Sequence, residues 1–241
     1  MHRGLVCLLL LAAPAIADET AAKVTVPVEP DKKVDVWVTR ARGDDGSLTL
    51  KLIARGLWPK PQSLTLYQGG GDDDGYGDDD VKKVTAHTFD VGGGKKIAKV
   101  EITYKPPDGK KVDEQTDTIL VGFDGKTHKM LELTTRRSRD RSKVCRETDQ
   151  IDLAADGPTL TASRHLVREA ALGDDDLPID KSCRSPKEVA KKYFKLTGGQ
   201  WVESDGPPAE APAAAATPAP AAVTPAKANA PKPAAPVESD D

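Results

Sequence analysis

The densest group of reactive side chains in this chain is acidic. Asp72-Asp73-Asp74-Gly75-Tyr76-Gly77-Asp78-Asp79-Asp80 sets six carboxylates within nine residues. Calcium takes six to eight oxygen ligands, and closely spaced carboxylates on a turning backbone supply them. Asp72, Asp74 and Asp78 have the D-x-D-G-x-x-x-D spacing, Gly75 permits the bend, and Asp80 adds a fourth carboxylate. Together these four are candidate ligands of a Ca²⁺ site with an affinity of about 10⁻⁴–10⁻³ M. The reading weighed ahead of it is a solvated loop whose charges repel one another.

The spacing resembles the Asp-rich calcium loops of extracellular bacterial repeats and of FG-GAP-type propeller blades. It departs from them at two places. Gly70 stands where the leading Asp should be, and no Glu occupies the twelfth place to bind in bidentate fashion. Two further groups carry chemistry. Cys145 and Cys183 are the only cysteines past residue 7. An even pair without CxxC spacing reads as a structural disulfide in an oxidising compartment. The run Arg136-Arg137-Ser138-Arg139-Asp140-Arg141-Ser142-Lys143 is basic. It reads as a solvated loop or as the internal counter-charge of the Asp clusters, and otherwise as a contact for an anionic cell-surface polymer. No aromatic residue interleaves with it, so base stacking has no platform.

Catalytic signatures are missing. The chain has no H-E-x-x-H, no G-x-S-x-G and no phosphate-cradling G-x-x-x-x-G-K. His87, His128 and His165 lie far apart in sequence and read as structural residues. A hydrolase would have to draw a carboxylate pair from the acidic turns, roughly 5–9.5 Å apart in a cleft if its substrate is a glycoside.

The elements that position these groups read as strands. Val34, Val36 and Val38 alternate with polar or aromatic neighbours, and Leu48, Leu50 and Leu52 do the same after the Gly43–Gly46 turn. Leu64 to Gln68, Val84 to Val91 and Ala98 to Tyr104 continue the pattern. Thr118 to Phe123 and Lys126 to Thr134 flank Asp124-Gly125, a hairpin signal. Leu160 to Val167 is a further strand, and Tyr193 to Thr197 with Gln200 to Glu203 form a closing hairpin across Gly198-Gly199. Ser185-Pro186-Lys187-Glu188 has the cap, first-turn proline and reaching-back Glu of a helix start, so a short helix to about Lys192 is expected. The fold class is therefore mainly β: an antiparallel sandwich or a meander of hairpins, with at most one short helix and a disordered C-terminal tail.

Composition sets the domain plan. Residues 1–17 read as a signal peptide, with Arg3, an apolar run over Leu5–Ala13 and Ala15-Ile16-Ala17 before cleavage. Cys7 lies near the start of that run, whereas a lipid-acceptor cysteine would follow it. Residues 18–33 read as a lead-in, 34–203 as the folded domain and 204–241 as the tail. All ten aromatic residues fall between Trp37 and Trp201. From Pro207 to Pro236, 23 of 30 residues are Ala or Pro, too few bulky side chains to offset ordering entropy. The formal net charge is -3. Losing Arg3 with the signal makes it -4, which argues against nucleic acid as the main partner. No segment of the mature chain is apolar enough to span a bilayer. The lone asparagine, Asn229, and the wealth of Ala, Gly, Pro, Asp and Arg suggest a GC-rich bacterial genome.

The functional expectation is an exported bacterial β-domain, periplasmic or secreted and non-enzymatic. It would act as a binding or envelope-structural module toward an envelope protein or an anionic polymer. The alternatives are a calcium-dependent binding module and a secreted hydrolase.

Overall fold

The computed structural model describes residues 18–70, 76–105, 113–142, 145–170, 183 and 190–206. Among the described residues twelve strands are laid down in sequence order. β1 (Glu19–Glu29), β2 (Lys32–Arg42), β3 (Leu48–Arg55) and β4 (Gln62–Gly69) form one sheet in the order β1-β2-β3-β4. A 3₁₀ turn over Asp78–Asp80 leads into the second sheet. That sheet holds β5 (Val81–Asp90), β6 (Lys96–Tyr104), β7 (Glu114–Gly122), β8 (His128–Ser142), β9 (Cys145–Asp156), β10 (Thr159–Ala170), β11 (Ala190–Thr197) and β12 (Gln200–Ser204). It runs from β12 to β5, each strand beside its sequence neighbours and antiparallel to them.

Period-two burial explains why the sheets meet. Val34, Val36 and Val38 on β2 and Leu48, Leu50 and Leu52 on β3 are fully buried. Ala98, Val100 and Ile102 on β6 and Ile119 and Val121 on β7 join them in one cluster. The fold is thus both a meander within each sheet and a sandwich between sheets, with the shared core between them. Leu120 points the other way from its neighbours. It packs with Ile97, Met130, Leu160, Phe194 and Trp201 in a second cluster, so β7 is covered on both faces.

Contacts outside the core also tie the sheets together. Trp58 Nε1 donates to the Gly125 carbonyl at 3.1 Å, and the Thr127 N–H donates to Gln62 Oε1 at 2.7 Å. Gly125 adopts φ 71°, the left-handed turn that Asp124-Gly125 predicts. The Cys145–Cys183 disulfide is formed. It joins the connection after β10 to the start of β9, closing a sequence separation of 38. A loop of that size stabilises the fold by about 2–4 kcal/mol, largely through the unfolded chain.

Four sequence readings change. The lead-in over 18–33 carries β1, a full strand of the first sheet. β9, which the sequence reading did not pick out, runs the whole length of β10. The basic run from Arg136 to Ser142 is the second half of β8 and not a loop. Ala190, Lys191 and Lys192 belong to strand β11 and not to a helix, because they pair with Arg164, Ser163 and Ala162 on β10. Ladder bonds and burial of Phe194 outweigh the local capping signal there. Residues 185–189 of the expected helix, the signal segment 1–17 and the tail from 207 onward lie outside the described residues. Among the described residues no helix is long and apolar enough to cross a membrane.

Candidate anion-binding face

Two registers position the site. β8 pairs with β9 so that Arg137 lies opposite Asp149 and Arg139 opposite Glu147. β9 pairs with β10 so that Glu147 lies opposite Arg168 and Ile151 opposite Arg164. The tight turn at Asp156-Gly157-Pro158 sets the second register. Charges of opposite sign therefore meet across three strands.

Glu147 is the centre, with only 4% of its surface exposed. Arg139 Nε donates to its Oε1 at 2.9 Å, and Arg139 Nη2 donates to the same oxygen. Arg168 Nε donates to Oε2 at 2.8 Å. A carboxylate this buried is tolerable only because guanidinium donors satisfy it. It fixes both arginines in return. Beside it Arg164 forms a two-pronged pair with Asp149, Nε to Oδ1 at 2.7 Å and Nη2 to Oδ2 at 2.6 Å. These hydrogen bonds and the adjacent negative charge push the Arg164 pKa above its ordinary value, so it stays cationic. Arg137 is oriented by a neutral partner, its Nε donating to Gln115 Oε1 at 3.2 Å. Arg136 and Arg137 have no carboxylate partner among the described residues.

The result is a trough of two adjoining concavities, of about 390 and 330 Å³, that share Arg137, Asp149 and Arg164. Arg136, Arg137, Arg139, Arg164, Arg168 and Lys192 line it against Glu147 and Asp149, a local net charge of +4. Lys192 also binds Glu203, at 2.9 Å, from outside the trough. The choice of cation is informative. The chain has 12 arginines and 23 lysines. Five of those arginines line the trough, with one lysine. Guanidinium presents a planar fork that matches phosphate and carboxylate oxygens in pairs, whereas ammonium acts as a point charge. Both carboxylates of the trough are held by guanidinium.

The acidic loop looks different. Asp72 and Asp74 lie outside the described residues. Asp78 receives Arg40, through Nε to Oδ1 at 2.5 Å and through Nη2 to its carbonyl oxygen at 2.5 Å, and Arg42 approaches it at 3.4 Å. Asp80 accepts the Gly77 N–H at 2.9 Å. Among the described residues no three His, Cys, Asp or Glu side chains gather as a metal set. The histidines do not converge. His87 faces Glu101 at 3.9 Å, His165 faces Asp152 at 3.2 Å, and the ring nitrogens of His128 lie 3.0 Å from the carbonyls of Lys126 and Gly199.

Glu147, Asp149, Arg164, Arg168 and Lys192 were not singled out from sequence. A signal for four of them existed. Folding the chain about Gly157 sets Glu147 opposite Arg168 and leaves Asp149 diagonally across from Arg164. No family model, no curated protein and no solved structure matches the chain.

Proposed function

We propose that the protein is an exported, non-enzymatic β-domain that binds an anionic partner of the cell envelope through the β8–β10 trough. The observation that carries this reading is the gathering of five of twelve arginines around one concave face of a net-acidic chain. The buried Glu147 holds two of these arginines in place before any ligand arrives, which lowers the ordering cost of binding. The disulfide and the N-terminal pattern support an oxidising compartment outside the cytoplasm.

The test is binding of linear polyphosphate, polygalacturonate and duplex DNA to the protein at several salt concentrations. Binding to one of the first two, weakening steeply with salt, is expected. Arg136→Ala with Arg137→Ala, at exposed positions outside the carboxylate pairs, should lower that affinity at least tenfold while leaving the thermal midpoint in place. Unchanged affinity in the double variant would remove the trough as the site. A preference for duplex DNA would overturn the choice of partner.

A further inference from the structure

The two carboxylates of the trough are held unequally. Glu147 has 5% of its side chain exposed and accepts from two arginines, Arg139 and Arg168. Asp149 has 28% exposed and accepts from Arg164, whose own side chain is 58% exposed. A carboxylate as deep as Glu147 cannot leave its cations without becoming a buried unpaired charge. Water reaches both members of the Asp149–Arg164 pair and competes for each, and exposed pairs of this kind are weak. Glu147 is therefore a fixed part of the wall, whereas Asp149 is exchangeable.

Asp149 also stands where the two concavities merge. The residues they share are Arg137, Asp149 and Arg164. The Asp149 oxygens fill the Nε–Nη2 edge of Arg164 at 2.7 and 2.6 Å. That edge is the one with which a guanidinium grips two oxygens of a single oxyanion. Arg137 lies opposite Asp149 on β8, but both Asp149 oxygens are given to Arg164, and Arg137 is left to Gln115. A foreign oxyanion on the same edge would have Arg137 beside it as a second cation. The rest of its polymer would meet the other arginines. A carboxylate of the chain itself thus occupies the place where an incoming anion gains most.

We infer that the Nε–Nη2 edge of Arg164 is the central oxyanion subsite of the trough, filled in the free protein by Asp149 as a built-in ligand that a phosphate or carboxylate group of the anionic polymer displaces. Asp149 plays this part only if the β8–β10 trough is the binding face. On Arg164 the polymer exchanges one pair of oxygens for another, so its net gain comes from Arg137 and the remaining cations. A lone small anion gains little over the resident carboxylate. Asp149 therefore sets both the affinity and the preference for polyanions over single ions.

Linear polyphosphate and polygalacturonate, titrated into the full chain by calorimetry, test this. The polymer that binds tells a phosphate group from a carboxylate. The parent is compared with Asp149→Asn and with two controls, Asp140→Asn and Asp152→Asn. Each control removes one negative charge three residues along β8 or β9 from the Arg137–Asp149 pair, about 10 Å away. Asp149→Asn should tighten binding of the preferred polymer about tenfold. The controls, about a Debye length from the subsite, should change it by no more than about twofold. In carbon-detected spectra of the parent, the Asp149 carboxyl resonance should move as polymer is added while that of Glu147 stays in place. Equal gains in all three variants would reduce the effect to net charge and overturn the inference, with the trough still standing as the binding face. So would an Asp149 resonance that stays put while polymer binds. Failure of both polymers to bind the parent and Asp149→Asn alike would remove the trough as the site, and the role of Asp149 with it. The spectra of the parent decide the matter even if Asp149→Asn fails to fold.

Discussion

Two side chains concentrate the polar chemistry of the interior. Glu147 accepts from Arg139 and Arg168 while almost wholly buried. Glu147→Gln removes its charge and keeps its shape, so two guanidiniums lose their shared counter-ion. Stability should fall by about 2 kcal/mol, measured by urea unfolding. Tyr104 is the other. It is 3% exposed, and its hydroxyl donates to Asp117, which also accepts from Thr134 at 2.7 Å and from Gln115 at 3.1 Å. Burial first and the Asp117 hydrogen bond second raise the Tyr104 pKa far above the usual tyrosine value. The phenol is therefore neutral in the folded protein where the unfolded chain would ionise it. Its contribution to stability is complete below about pH 10 and is lost as pH rises beyond. The urea midpoint should fall through the alkaline range, and Tyr104→Phe should flatten that limb by the equivalent of one proton.

At the scale of elements, what the sequence disclosed depended on what each strand buries. β2, β3 and β6 put apolar residues on one face and polar ones on the other, so period two is visible by inspection. β9 has the same period, but its alternate positions run Cys145, Glu147, Asp149, Ile151, Leu153, Ala155. Its first half turns charge inward, and the hydropathy pattern vanishes where the strand is most important. The second half of β8 hides for a related reason: its fully buried residue is Ser138, between the exposed Arg137 and Arg139, so no apolar side chain marks the period. β1 escapes notice because Pro27 interrupts it, and its register with β2 shifts beside that residue. The disulfide was legible from cysteine count alone. The trough was not, because it needs two registers at once.

On the scale of the whole molecule, chain order and spatial order coincide. Among the described residues, 19–69 build one sheet and 81–204 the other, and no strand crosses between them. The sheets are held by the shared core, by Trp58 against Gly125 and by Arg40 against Asp78. Such a layout makes the polypeptide separable. A protease site introduced at residues 71–75 and cut after folding should leave two pieces that elute together in native buffer. Expressed apart, neither piece has a mate for its half of the core, and each should precipitate or aggregate until the other is added. Elution of the cut pieces as separate species would mean that the core between the sheets is too weak to act as an interface. If they stay together, the protein is in effect a heterodimer written as one gene, and each sheet can be redesigned as a subunit that recognises the other.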